Sequence, residues 1–511
     1  MFSQINACAL MGMDGYIVKV QTDISNGMPS MNVVGLPDTA VKEARERINS
    51  AIRNSGFKFP SKRITINLAP ANTKKEGTAY DLPLAISILQ GSEQFNANLS
   101  MDDAVFIGEL SLSGTVMPVT GVLAMVISAY KLGYRKFFVP ADNANEAAVI
   151  EDAEIYPVES LIQLWQHFCG DRKIERRVVD TSELFSNSVK SLLDFAEVKG
   201  QANVKRALEI AAAGSHNTLL IGPPGTGKTM LAQRLNTILP PLSFEESLEV
   251  TKIHSIAGIL PKNRPLITER PFRHPHHTIS SVGLSGGGSV PRPGELSLAH
   301  NGILFLDELP EFRRDVLEAL RQPLEDSTVT ISRVSATLTY PCNIMLVASM
   351  NPCKCGYYGD KRRRCTCTPR QIATYRHKIS GPLLDRIDIQ AEVASLDYTE
   401  LSSNTPRETS AEIKERVDRA REIQLERYKG RGIYSNSQLT AGMLDEFCPL
   451  GKYEDNVLKA AFNSLNMSAR AHSRILKVAR TIADLAGSER IKPPHIAEAV
   501  SYRSLDRKFF S

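Results

Sequence analysis

Apolar residues recur at helical spacing at Val41, Ala44, Ile48 and Ala51, with Asp38 placed to accept from the first free N–H groups. A capped helix is expected there. Residues 63–68 alternate instead, Arg-Ile-Thr-Ile-Asn-Leu, the period-two pattern of a half-buried strand. Phe137, Phe138, Val139 and Pro140 end another strand, and short strands and helices alternate up to about Gly170. Residues 171–190 then turn charged, Ser-rich and poor in large apolar side chains, the composition of a linker. Beyond it, 217–221 reads as a buried strand and 230–235 as a helix, while 303–306 and 344–349 are further apolar runs of strand length. From about Leu396 strands disappear and helical periodicity takes over, with Asn404, Thr405 and Pro406 marking a joint. The pattern divides the chain into an α+β block (1–170), a linker (171–191), an α/β block (192–395) and a helical block (396–511).

Between the strand 217–221 and the helix that follows lie Gly222, Pro223, Pro224, Gly225, Thr226, Gly227, Lys228 and Thr229. They match G-x-x-x-x-G-K-[ST] at every fixed position and in the strand–loop–helix setting that pattern requires. Glycines let such a loop curl its N–H groups around phosphates, and the helix N-terminus adds positive potential. Lys228 is placed for the β/γ-phosphates and the Thr229 hydroxyl for Mg²⁺, so ATP and Mg²⁺ are the expected ligands. The apolar run 303–306 ends in Asp307 and Glu308. The first carboxylate is a candidate Mg²⁺ ligand, the second a candidate to orient or deprotonate the attacking water. Asn351, after the run 344–349, is a candidate to polarise that water, with a turn or capping role as the alternative. Three parallel strands with such residues at their carboxyl ends describe a doubly wound P-loop sheet.

At 511 residues the chain has room for about three domains by the ~150-residue guide. A composition of 42% hydrophobic and 23% charged residues is that of a globular protein. The start, Met1-Phe2-Ser3-Gln4-Ile5-Asn6, lacks the basic and apolar regions of a signal peptide, and no apolar run approaches the length of a membrane span. A cytoplasmic protein without a membrane partner is expected. The net charge of +5 permits nucleic-acid binding without demanding it, so local basic clusters matter more.

Eight cysteines then change the picture. Cys353, Cys355, Cys365 and Cys367 form C-x-C-x₉-C-x-C, a spacing able to close a tetrahedral structural Zn²⁺ site, with free or redox-active thiols as the alternative. Between the two pairs runs Lys361-Arg362-Arg363-Arg364, either a phosphate-backbone contact or a solvated loop. His274, His276 and His277 read as loop or DNA contacts, structural hydrogen-bonding groups, or metal ligands.

Together these motifs resemble the AAA+ ATPases. Residues 195–201, Phe-Ala-Glu-Val-Lys-Gly-Gln, look like that family's adenine-contacting lead-in. Arg386, in Gly-Pro-Leu-Leu-Asp-Arg-Ile-Asp, is similar to its trans-acting arginine finger. Arg470, in Ser-Ala-Arg-Ala-His-Ser-Arg, is similar to its nucleotide-sensing lid arginine, with Arg474 one turn on along the same face. A surface ion pair is the alternative for each. The long stretch between Lys228 and Asp307, and an expected hairpin at 329–333 and 337–339, resemble the pore-loop insertions of the Mg-chelatase and helicase branch.

Residues 75–85 and 108–123 resemble a Lon-type protease, but its serine position falls on Ala79 and its lysine position on about Leu123, which argues against that chemistry. Lys74, Lys75, Arg45, Arg47, Lys62 and Arg63 form either a DNA-contacting or a merely solvated face of this block. Along nearly its whole length, including the segment 291–302, the chain resembles the ComM/YifB family. The resemblance implies a homo-hexameric ATP-driven DNA helicase acting on single-stranded and branched DNA. Its implied task is branch migration of RecA-formed joints in natural transformation. A metal-insertion motor and an ATP-dependent protease are the rival readings.

Overall fold

The computed structural model describes residues 1–95, 100–170, 172–186, 192–262, 264–288, 291–332, 337–360, 362–397, 407–465, 467–503, 505 and 509. Asp171, residues 187–191 of the expected linker, Arg333, Lys361 and the joint at Asn404, Thr405 and Pro406 lie outside the described residues. The chain forms two compact units. The first comprises Met1–Ser188, Phe244–Thr268 and Ser332–Thr339, the second Val189–Ser243, Glu269–Ile331 and Tyr340–Ser511.

The first unit is built on a seven-stranded mixed sheet, in spatial order Ser30–Val34, Arg63–Ala69, Asp14–Ser25, Phe2–Met11, Ala104–Phe106, Lys136–Pro140 and Glu154–Val158. Strand Arg63–Ala69 buries Ile64, Ile66 and Leu68, as its alternation requires. Helix Thr39–Asn54 is capped by Asp38, whose carboxylate accepts from the Val41 N–H at 2.8 Å, and it buries Val41, Ala44, Ile48 and Ala51. The segment Phe244–Thr268, placed by chain order in the α/β block, belongs to this unit. Its Ser255 hydroxyl donates to the buried Glu146 carboxylate, which also accepts from the Asn143 side chain at 2.6 Å. The Gly121 N–H donates to the Ser255 carbonyl at 3.0 Å, and Leu266 packs with Leu123, Ile127 and Val149. A carboxylate removed from water needs donors from whichever segment can reach it, so packing overrides chain order here.

The basic face read from this block is corrected in part. Lys75 is fully buried and donates to the carbonyls of Pro70 and Thr73; burial pushes its ammonium below the ordinary lysine value. Arg47 is committed to the buried Asp81 by contacts of 2.8 and 3.1 Å, and Lys74 pairs with Glu76.

In the second unit a five-stranded, wholly parallel sheet runs in the order Phe272–Arg273, Ile303–Leu306, Met345–Met350, Thr218–Ile221, Ile389–Glu392. All four residues of Thr218–Ile221 and of Ile303–Leu306 are buried, as expected of a sheet covered on both faces. Strands Thr328–Ser332 and Thr337–Pro341, of which Ser332–Thr339 is grouped with the first unit, pair as a two-stranded ribbon where the hairpin was expected.

The helices Ser410–Arg427, Ala469–Leu485 and Pro493–Ser501 share a core with the sheet and with helix Ala202–Gly214, through Ile413, Val417, Ile475, Val478, Ile482 and Ile496. Polar groups lock this packing. Asp484, fully buried, accepts from Arg427, Arg480 and the Asn436 side chain. Asp388 accepts from Arg474 at 2.7 Å and faces His216 at 3.3 Å. Burial alone would raise the Asp388 carboxyl, but Arg474 and His216 hold it well below the usual carboxylate range. Asp484→Ala leaves the buried Arg480 and the part-buried Arg427 guanidinium groups short of an acceptor and is expected to destabilise the second unit by about 3 kcal/mol in denaturant unfolding.

Candidate functional site: a nucleotide pocket and a cysteine cluster

Sheet register assembles the first site. Ile221 lies opposite Met350, and Leu306 opposite Ala348. The phosphate loop, Asn351 and Asp307 therefore leave three adjacent parallel strands side by side at their carboxyl ends, with Asn351 on the middle strand. Gly225 (φ +77°) and Gly227 (φ +85°) adopt left-handed conformations, and helix Lys228–Leu235 starts at once. A side chain at Gly222 would meet the Val393 carbonyl at 2.3 Å, so glycine is required by crowding there.

Lys228 Nζ donates to the carbonyls of Gly222 (2.7 Å) and Pro223 (2.8 Å) and to Asn351 Oδ1 (3.1 Å). The Thr226 hydroxyl ties back to Pro223 at 2.9 Å. Thr229 Oγ1 donates to Asp307 Oδ2 at 2.7 Å. Adjacent oxygens on an octahedral Mg²⁺ at about 2.1 Å lie roughly 3 Å apart, so this hydroxyl–carboxylate pair fits that ion. Glu308 follows with φ +54°, a conformation costing a non-glycine residue on the order of 1 kcal/mol or more. Its N–H donates to Asp307 Oδ1, and its exposed side chain departs from the strand line. With ATP bound, the magnesium ion would neutralise the phosphate oxygens; Thr229 and Asp307 would hold it, Lys228 would meet the phosphates, and Glu308 and Asn351 are the groups left to orient water.

Burial pushes the Lys228 ammonium down to about 8, against the raising influence of Asp307 and Glu308. Two consequences follow from that direction. Bound phosphates favour the charged form, so MgATP affinity is expected to fall about tenfold per pH unit above pH 8 and to be flat below it; titration calorimetry across pH 7–10 checks this. Between pH 8 and the ordinary lysine value the unfolded chain binds more protons, so this group's contribution to stability rises with pH across that window.

One participant escaped the sequence reading. The Ser349 hydroxyl donates to Asp307 Oδ1 and fixes that carboxylate; its only signal was a polar residue ending an otherwise apolar strand.

The other candidates lie elsewhere. Arg386 is buried, paired with Glu325 and bonded to the Pro382 carbonyl at 2.7 Å, away from its own chain's phosphate loop. Arg470 is exposed at the start of its helix, whereas Arg474 is tied to Asp388. In the lead-in segment Phe195 is core and Glu197 pairs with Arg234. His274 packs on Phe305 with ring centres 4.8 Å apart, and His276 bonds to Thr278.

Cys353, Cys355, Cys365 and Cys367 converge, with Sγ–Sγ distances of 3.3, 3.5 and 3.7 Å among the first three and all four sulfurs within 4.8 Å of one another. Tetrahedral zinc at about 2.3 Å from each sulfur sets S–S spacings near 3.8 Å, so the thiols fit that ion with no open position. Among the described residues no other group of three or more His, Cys, Asp and Glu is placed to hold a metal. The loop abuts the nucleotide pocket. Gly356 is at φ +89°, and a side chain there would meet Pro224 of the phosphate loop at 2.5 Å. The basic run inside it is partly committed: Arg362 pairs with Asp397, and Arg363 lies over the Tyr357 ring at 4.4 Å.

Competence protein ComM of Haemophilus influenzae is 44% identical over 501 residues, covering 98% of this chain and 97% of that protein. The chain belongs to the ComM/YifB family. The uncharacterized protein YifB of Escherichia coli K12 is likewise 44% identical, over 99% of this chain and 97% of its own length. Sequence profiles of the magnesium chelatase family agree: subunit ChlI of Mg-chelatase over residues 20–143, magnesium chelatase, subunit ChlI over 194–401, and its C-terminal part over 407–503. The family is thus one of Mg-chelatase-like AAA+ ATPases, for which ATP and Mg²⁺ are the ligands. Archaeal Lon protease of Methanothermobacter thermautotrophicus is 26% identical over 157 residues, 29% of this chain and 24% of that protein. Ala79 and Leu123 are both buried among apolar side chains, so the Lon-like part has no nucleophile at those positions. Among the described residues no helix is long and apolar enough to cross a membrane.

Proposed function

We infer that this protein is a cytoplasmic, hexameric DNA motor that uses ATP to drive branch migration, extending joints formed when single strands are recombined during natural transformation. The full-length similarity to a protein named for competence carries the reading. The assembled pocket of Lys228, Thr229, Asp307, Glu308 and Asn351 supports its energy source. In this reading Arg386 leaves Glu325 to complete a neighbour's site, Arg470 senses the nucleotide, and the Thr328–Pro341 ribbon and the 270–288 insertion face the DNA. Structural zinc holds the cysteine loop. The magnesium chelatase profiles favour a second reading, a metal-insertion motor that needs a porphyrin-binding partner.

Steady-state ATPase measured without DNA, with single strands, with duplex and with three-stranded junctions separates the two. Strongest stimulation by junctions is expected. Hydrolysis indifferent to every DNA would refute the motor on DNA and favour the chelatase-like reading.

A further inference from the structure

One feature of the second unit is absorbed by none of this chemistry. Beside helix Pro369–Arg376 lies an open groove of about 600 Å³, lined by Phe312, Arg314, Arg370, Thr374, His377 and Lys378 among others, with no carboxylate in its lining. Phe312 forms its apolar floor, while Arg314, Arg370, His377 and Lys378 are exposed. Lys378 has Glu311 at 3.4 Å, outside the lining. Arg370, Thr374, His377 and Lys378 follow one another at i, i+4, i+7 and i+8, so they share one side of the helix and its C-terminal turn over roughly 12 Å. A nucleic-acid strand carries a charge every ~3.4 Å of helix axis in duplex form, and more widely when extended; the Arg370 and Lys378 charges at the ends of this row span about two or three phosphates. Arginine forks suit phosphate oxygens in two-pronged contact.

The opposite side of the same helix reaches the nucleotide pocket. Ile372 and Tyr375 are its buried residues, and the segment they cover begins at Asn351, whose side chain accepts from Lys228. Arg376 donates to the Pro352 carbonyl at 3.1 Å. The helix begins directly after Cys367 with a complete capping box formed by Thr368 and Gln371. It is therefore anchored at both ends, with one face exposed and the other tied to Pro352, the residue after Asn351.

We propose that this groove binds the phosphate backbone of single-stranded nucleic acid, and that Arg376, on the far side of the same helix, relays its occupancy through Pro352 to the adjoining Asn351, so that hydrolysis follows strand engagement. The proposal rests on the DNA-motor reading but adds a site and a coupling residue to it. A free polyphosphate or the acidic face of a second copy of the chain are the competing occupants.

The test uses the full chain and a fluorescein-labelled oligo(dT), with binding read by anisotropy over a range of salt concentrations and ATPase measured with and without the oligonucleotide. In Arg314→Glu/Arg370→Glu the slope of log K against log[salt] is expected to fall by about 1.4, two lost phosphate contacts at ~0.7 each. The DNA-stimulated to unstimulated ATPase ratio drops towards one. Arg370→Gln, a gentler change, gives about half the change in slope. Arg376→Gln, outside the groove lining, keeps the wild-type salt slope but lowers the stimulation ratio, which separates coupling from binding. An unchanged slope with undiminished stimulation in the charge-reversal variant overturns the groove. So does competition by inorganic triphosphate far stronger than that of an oligonucleotide of equal charge concentration, or loss of oligomer assembly in sedimentation with strand binding intact. If wild-type protein binds no oligonucleotide and shows no stimulation, the DNA reading itself falls; if only the variants behave as wild type, the groove alone falls.

Discussion

Lys228→Ala is expected to weaken MgATP binding roughly 10–100-fold and to abolish ATP-driven strand displacement, while Glu308→Gln keeps the nucleotide and loses hydrolysis by about 10²–10⁴-fold. The two differ because the groups meet different species. Lys228 lies in the phosphate loop against Gly222, Pro223 and Asn351, so its loss is felt on binding. Glu308 touches the Thr229–Asp307 pair only through its backbone N–H, which Glu308→Gln keeps, while its side chain is exposed, so the loss of the carboxylate is felt at the attacking water. Lys228→Ala also removes an ammonium that burial already pushes down to about 8, so its thermal midpoint should be no lower than wild type at pH 7.5. Calorimetric binding, ATPase turnover and a thermal scan on both variants separate these effects. Retained strand displacement in either variant would sink the motor, and a collapsed melting transition would show the loop to be structural instead.

Zinc removal carries the second large effect. The purified protein is expected to hold one zinc per chain, lost in Cys355→Ser/Cys365→Ser and measurable by atomic emission without any assay of activity. Because Gly356 lies against Pro224, loosening the loop should reach the phosphates, and nucleotide affinity is expected to fall about 10–100-fold. Gly356→Ala tests that contact without touching a thiol: its new methyl group would meet Pro224 Cδ at 2.5 Å in a backbone conformation at φ +89°. A metal-free protein with full nucleotide affinity would refute both the metal and the coupling.

Both predictions rest on residues that local pattern makes visible. The phosphate loop, the apolar strand ending in Asp307 and Glu308, and the C-x-C pairs each lie within a short stretch whose spacing already implies its chemistry. The Asp38 cap and the alternation of residues 63–68 were legible for the same reason, since a helix turn or a pleat is set by neighbours in the chain.

What lay beyond reach was decided by contacts between residues distant in sequence. Lys75 and Arg47 read as surface charge, yet the first is buried against carbonyls and the second is spent on Asp81. Segment Phe244–Thr268 belongs with the first unit because Glu146 needs the Ser255 hydroxyl. Ser349 and Arg376 gain their contacts only when parallel strands and a covering helix bring them to Asp307 and Pro352. By itself, then, the sequence determined which groups can hold ATP, Mg²⁺ and zinc. Only the tertiary structure decided which charges remain free to meet a partner, because a buried charge must be satisfied by whatever the fold places beside it, and spacing along the chain carries no record of that.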